Sequence, residues 1–163
     1  MDMRLGHTEA SASDKVSFWP VYLCFMVFGV LIPFSRTDFT MTTMLLSLVV
    51  SLAVGVLNVN LLIMVFNSAN ADLRQADSHF ARQSVSAGML FMIPFTVLAV
   101  LALALLSWNA VMPFASAAIM TAAATAGAEV MKKGAQGVKN VLIPSALAFI
   151  FSTGWMMLVA VLP

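Results

Sequence analysis

Long apolar runs alternate with short polar segments along the chain. A helix needs roughly 20 mostly apolar residues to cross the hydrocarbon core of a bilayer. We therefore predict an all-α integral membrane protein with five transmembrane helices in a single polytopic domain, residues 18–163, preceded by a polar cytoplasmic tail, residues 1–17. The predicted helices cover about residues 18–34, 41–66, 85–107, 111–130 and 141–162.

The first apolar run, residues 18–34, could also be read as a signal peptide. A signal peptide has an apolar region of roughly 7–15 residues followed by a small-residue cleavage site. This run is longer, and the segment from Pro33 to Arg36 offers no such site. We therefore predict a helix that is retained in the protein.

Proline and glycine indicate where the later helices bend and end. Pro94 lies inside the third predicted helix and should kink it, because proline has no N–H to donate to the carbonyl of Leu90. Gly134 and Gly137 follow the fourth predicted helix and should end it. Between the second and third helices, residues 67–84 predict either a short helix lying at the membrane interface or an extension of the third helix.

The fourth predicted helix is unlike the others because its side chains are small. Between Ala115 and Ala128, every residue except Ile119 and Met120 is Ala, Ser, Thr or Gly. Small residues let neighbouring helices approach closely. We therefore predict that this Ala-rich helix is the packing hub of the bundle, with Ala118, Ala122, Ala126 and Gly127 as packing residues.

The distribution of Lys and Arg predicts the orientation of the chain. Only 9% of the residues are charged and 61% are hydrophobic, and the sequence holds eight Lys and Arg residues. With five spans and the N-terminus inside, Arg36 alone lies outside, whereas loss of the fourth span would divide the eight evenly. The positive-inside rule favours the first arrangement. We therefore expect a cytoplasmic N-terminus and a C-terminus on the outer side of a bacterial inner membrane.

The predicted spans lack the side chains that membrane enzymes and ion-coupled transporters use. Asp, Glu, Lys, Arg and His do not occur between the predicted interfaces, although such groups usually mark proton relays, coupled transport and metal or haem ligation. Cys24 is the single cysteine, and neither His7 nor His79 has a second ligand at helical spacing. We expect no enzyme activity, cofactor or metal site, and no nucleic-acid partner.

A polar stripe on the fourth helix has two readings. Thr121, Thr125 and Glu129 follow one another at intervals of four residues, so they share one face. They could line a polar path with a carboxylate at its inner mouth. Alternatively, Glu129 pairs with Lys132 or Lys133 at the interface, and the threonines bond to carbonyls of their own helix.

The second helix carries a stripe of its own. Ser47, Ser51, Gly55 and Asn58 share one face, whereas Asn60 points to nearly the opposite side. The stripe either packs against the hub helix or faces a polar cavity shared with it. Asn60 is the better candidate for contact with another subunit or a different helix.

Three lysines follow the hub helix. Lys132, Lys133 and Lys139 could bind anionic lipid or a cytoplasmic partner, or they could only set the orientation of the chain. Together with the polar stripes they complete the set of candidate site residues.

Helices without internal charge but rich in small residues suit helix–helix association better than catalytic turnover. The leading hypothesis is a non-enzymatic structural or accessory subunit of a larger membrane complex, in contact with the bilayer and with other membrane subunits or copies of itself. The alternative is a small channel or transporter for an uncharged or weakly charged solute.

Overall fold

The computed structural model describes residues 17–35, 40–105 and 111–160, and these segments are helical almost throughout. Most of the predicted tail, the Arg36 side chain and the C-terminal residue Pro163 lie outside the described residues. The helices are α1 Trp19–Leu31, α2 Met41–Ala69, α3 Ala71–Ala76, α4 Phe80–Met89, α5 Met92–Leu105, α6 Val111–Lys132 and α7 Lys139–Ala160.

Four helical segments are long and apolar enough to cross a membrane, which is compatible with a multi-pass membrane protein. They are Met41–Ala69, Phe80–Leu105, Val111–Lys132 and Lys139–Val159. Three of them, Met41–Ala69, Phe80–Leu105 and Val111–Lys132, exceed the lengths predicted from hydropathy, because helix continues into polar sequence beyond the apolar run. The Phe80–Leu105 segment contains both α4 and α5, so it starts five residues before the predicted residue 85.

The α1 helix is apolar but short. Its 13 residues span about 20 Å at 1.5 Å per residue. A 3-10 turn, Pro33–Ser35, extends it by about 6 Å. Pro20 occupies the first turn of the helix, where its missing N–H costs no hydrogen bond. The α2 helix then begins with a cap, because the Thr40 hydroxyl accepts the backbone N–H of Thr43 at 3.1 Å.

The third span is interrupted near the position of the predicted kink, but the break lies before Pro94. Helix α4 ends at Met89 and α5 begins at Met92, so the break falls at Leu90 and Phe91. The carbonyl of Leu90, to which Pro94 has no N–H to donate, accepts the backbone N–H of Ile93 at 3.1 Å. Pro94 therefore lies in the first turn of a new helix, where proline is tolerated.

Between α2 and α4, the structure has a short helix and an early start of the next span. The short helix α3, Ala71–Ala76, has no buried residue. The span that follows also starts earlier than its apolar run, at Phe80. The two helices remain separate, because Asp77 lies between them in an extended conformation.

A glycine turn ends α6. Gly134 has a φ of +105° and Gly137 a φ of +99°, a region that side chains with a Cβ rarely adopt. The N–H of Gly134 bonds to the carbonyl of Met131 at 3.0 Å, and that of Ala135 bonds to Val130 at 3.4 Å. This pair of bonds is a Schellman motif, and it satisfies carbonyls at the end of the helix.

The helices pack in two overlapping groups. Helix α6 makes its most extensive contacts with α7 and α4, followed by α5. Helix α2 lies mainly against α1, and also against α7 and α4. The buried core joins the groups through the aromatic rings of Phe25, Phe28 and Trp155 and through the alanines of α6.

Candidate functional site

The polar face of α2 is buried along its length. Ser47, Ser51 and Gly55 are buried there, as is Asn58. Ser47 Oγ donates to the carbonyl of Gly29 at 2.7 Å, which joins α2 to α1. This side of the stripe therefore serves contacts between helices.

Ser51 joins α2 to α7 through a tryptophan. Trp155 Nε1 donates to Ser51 Oγ at 2.8 Å. The indole is 2% exposed, and its ring centroid lies 5.5 Å from that of Phe25 and 6.3 Å from that of Phe28. A buried indole N–H needs such an acceptor, so Ser51 and Trp155 form one unit. Hydropathy alone did not indicate Trp155, since it reads as one more apolar residue.

Asn58 is buried without a hydrogen-bond partner. The residue is 1% exposed, and neither Oδ1 nor Nδ2 of its amide has a partner among the described residues. Ser84 Oγ on α4 is also buried and unpaired within the described part of the chain. An unpaired buried polar group costs about 1–3 kcal/mol. These two side chains are therefore the strongest candidates for contact with a bound polar solute.

The Thr125 hydroxyl of α6 has hydrogen-bond acceptors in its own helix and on α4. Thr125 Oγ1 lies 2.7 Å from the carbonyl of Thr121 and 3.1 Å from that of Gly88 on α4. A single hydroxyl proton serves one acceptor at a time, so Thr125 bonds within its own helix or across to α4. Both Thr121 and Thr125 are half-buried.

Glu129 lies at the end of the threonine stripe and forms an ion pair. Its carboxylate is 2.6 Å from Lys132 Nζ, with the lysine side chain 71% exposed and the glutamate 35% exposed. Lys133 Nζ donates to Gln83 Oε1 on α4 at 2.6 Å. Lys139 is exposed. The ion pair between Glu129 and Lys132 is of the exposed kind that contributes less than about 1 kcal/mol.

The small residues of α6 lie where helices approach most closely. Ala118, Ala122, Ala126 and Gly127 are all buried. A Cβ placed on Gly88 of α4 would collide with the backbone nitrogen of Ala126. This crossing depends as much on Gly88, which sequence reasoning missed, as on the alanines.

On its other side, α6 meets the start of α7. A Cβ on Gly127 would collide with the backbone carbonyl oxygen of Asn140. Asn140 is 2% exposed. Its side-chain Oδ1 accepts Asn70 Nδ2 at 3.0 Å, and its Nδ2 donates to the carbonyl of Gln136 at 3.1 Å. Asn140 was also missed, because it lies at the predicted edge of a span, where asparagine is common.

Asn60 lies apart from the other candidates. It is exposed on α2, and its Nδ2 donates to the carbonyl of Val56 at 2.8 Å. The candidates thus divide into buried residues that join helices, charged residues at one end of the bundle, and one exposed amide.

Among the described residues, no group of three or more His, Cys, Asp or Glu side chains could hold a metal ion. Cys24 is buried in α1. Comparisons of the chain with protein-family models, curated proteins and solved structures give no match.

Proposed function

We propose that this chain is a non-enzymatic, multi-pass protein of the bacterial inner membrane that acts as a structural or accessory subunit of a larger complex. The observation that carries the proposal is the use of its interior polar groups. Ser47 is hydrogen-bonded to the Gly29 carbonyl of α1, and Ser51 to the Trp155 indole of α7. Groups engaged in this way hold helices together and do not line an open path.

The proposed topology has five spans, with the N-terminus inside and the C-terminus outside. It requires α1 to cross the bilayer together with its 3-10 turn, which gives a length close to the roughly 30 Å of the hydrocarbon core. Seven of the eight Lys and Arg residues then lie inside. If α1 did not cross, Arg4, Lys15 and Arg36 would all lie outside, which the positive-inside rule disfavours.

Thiol labelling in intact cells tests this topology. In a Cys24→Ser background, Gln136→Cys places a thiol at an exposed position in the turn between α6 and α7. A membrane-impermeant reagent should label it only after the cells are opened. Labelling of intact cells would contradict the five-span arrangement, and a cysteine added after Pro163 is the control that should be labelled from outside.

Glu129→Gln tests the functional class. The exchange removes the charge but keeps the size and the hydrogen-bonding ability of the side chain. A subunit should assemble and complement a deletion almost normally, because the exposed pair with Lys132 contributes little. Loss of function at normal protein abundance, measured by immunoblot, would instead favour a pore with a charged mouth.

A second candidate function, a channel or carrier for an uncharged solute, is favoured by one observation: the unpaired amide of Asn58. Asn58→Leu separates the two functions. In a subunit, loss of an unpaired buried amide should leave the thermal midpoint unchanged or raise it, and function should persist. In a carrier, solute flux into liposomes should disappear.

Asn140→Leu is the matched control for that experiment. Its amide is also buried, but it is hydrogen-bonded to Asn70 and Gln136. The exchange should lower the thermal midpoint under either function, because it leaves bonded partners unsatisfied.

A further inference from the structure

One row of exposed residues runs along α2 on the side opposite its buried polar face. The row alternates in steps of four and three residues, and all of its members are exposed. We call this row the α2 seam. It consists of Thr42, Leu46, Val49, Ala53, Val56 and Asn60.

The spacing of the seam is that of a two-stranded coiled coil. Leu46, Ala53 and Asn60 repeat every seven residues and correspond to the a positions of a heptad, while Val49 and Val56 correspond to d positions. A seven-residue repeat keeps a single stripe facing one partner helix along a left-handed supercoil. Ala53 at the centre is small enough for two backbones to approach closely.

Asn60 is the one amide in the seam, and its hydrogen-bonding capacity is only partly used. Nδ2 donates to the carbonyl of Val56, whereas Oδ1 has no partner among the described residues. Asn60 lies about 14 Å along the axis from the end of α2 at Ala69, inside the segment proposed to cross the bilayer. An amide at that depth is stabilised by a hydrogen bond to another helix.

The seam fits a second copy of the same chain. Copies inserted with the same orientation are related by an axis along the membrane normal, so their α2 helices run parallel and equal positions meet. An asparagine at an a position pairs with its equivalent in a parallel dimer, because each amide both donates and accepts. Residues 42–60 contain no charge, so copies do not repel one another there.

We propose that two copies associate through the α2 seam as a parallel pair, with Asn60 bonded to the partner's Asn60. The proposal rests on the membrane placement given above and adds the partner and the contact. The two proposals can fail separately. Labelling of Gln136→Cys reports the topology, whereas crosslinking between copies reports association.

Disulfide crosslinking in native membranes tests the geometry. In the Cys24→Ser background, Val49→Cys and Val56→Cys place thiols at d positions, and copper–phenanthroline removes two electrons and two protons from a thiol pair to form the disulfide. The control is Val97→Cys on α5, which is 53% exposed compared with 61% for Val49. Crosslinked dimers should form from the seam positions and not from Val97.

Crosslinking that is equal at Val97, or absent at both seam positions, would overturn the proposal. So would seam cysteines that crosslink only to a different protein, since the occupant would then be another helix and not a second copy.

Asn60→Leu tests the amide itself. The purified variant, labelled for energy transfer and placed in phosphatidylcholine vesicles, should dimerise about tenfold more weakly than the wild type, as loss of a pair of interhelical hydrogen bonds implies. Asn60→Gln keeps the amide and should recover part of the affinity. An unchanged dimer dissociation constant for Asn60→Leu, at an unchanged thermal midpoint, would contradict the proposed contact.

Discussion

Two regions of the bundle bring helices close together by different means. Where α6 crosses α4 and α7, Gly88 and Gly127 face the backbone atoms of Ala126 and Asn140. Where α1 crosses α2, Gly55 faces the side chain of Phe25, and Gly29 faces the side chain of Ser51 and the backbone carbonyl of Ser47. A Cβ on Gly29 would lie 2.5 Å from Ser51 Oγ, and one on Gly55 would lie 2.9 Å from the ring of Phe25.

The difference lies in what can move. A side chain can rotate away from an added methyl group, whereas a backbone that is fixed in its own helix cannot move without shifting the whole helix. The α6 crossings should therefore tolerate no enlargement. At the α1–α2 crossing, Gly55 should tolerate some, whereas Gly29 lies against the Cβ of Ser51, which is fixed to its own backbone. Glycine has the same appearance in the sequence at all four positions, but it has two different structural roles.

The largest expected effect comes from enlarging the α6 crossings. Gly88→Ala and Gly127→Ala should each destabilise the protein by about 3 kcal/mol, at the upper end of overpacking costs. Gly154→Ala on α7 is the matched control, because a Cβ there meets nothing within 4 Å. It should stabilise slightly through helix propensity. Thermal midpoints in detergent micelles measure all three, and equal midpoints would remove the distinction between the two regions.

A smaller effect is expected when a side chain is removed from the other region. Ser51→Ala leaves the indole N–H of Trp155 without its acceptor and should cost about 1 kcal/mol. The tryptophan emission spectrum should shift as well, because the polar contact of the ring is lost. Ser152→Ala is the control, since this buried hydroxyl bonds only within its own helix, to Phe149. If the two variants behaved alike, the link between α2 and α7 would be negligible.

The smallest effect is expected at Gly55. In Gly55→Ala the new Cβ would lie 2.9 Å from the ring of Phe25, so the ring has to shift. The gain in helix propensity of about 0.5–1 kcal/mol offsets part of that cost. The net change in unfolding free energy should be below about 1 kcal/mol. A loss as large as that of Gly127→Ala, by the same thermal assay, would show that the aromatic cluster is as rigid as backbone.

Hydropathy and residue spacing predict much of this architecture. The long apolar runs predict the four long helical segments, because apolar length is a property of the local sequence. The spacing of Ser47, Ser51, Gly55 and Asn58 predicts that they share a face, and the structure places all four in the interior. Gly134 predicts the end of α6 because few residues other than glycine adopt its φ.

Other features depend on which helix lies opposite, and periodicity carries no such information. Gly88 lies near the start of the third predicted span, and its role depends on the backbone of Ala126 across the interface. Trp155 and Asn140 likewise gain their roles from residues more than 60 positions away in the chain. The break at Leu90 was displaced from its expected place because proline restricts the turn before it.

The contact between Gly127 and Asn140 also has a consequence for biosynthesis. The ribosome makes α7 after α6, so α6 has to enter the membrane before the helix that covers one of its sides exists. Of the four candidate spans, Val111–Lys132 is the least hydropathic, which makes it the poorest at remaining in lipid unaided. Its neighbours α4 and α5 are already synthesised at that moment, and they can hold it through the close approach at Gly88. Translation order therefore divides the assembly of α6 into an early step on one side and a closing step on the other.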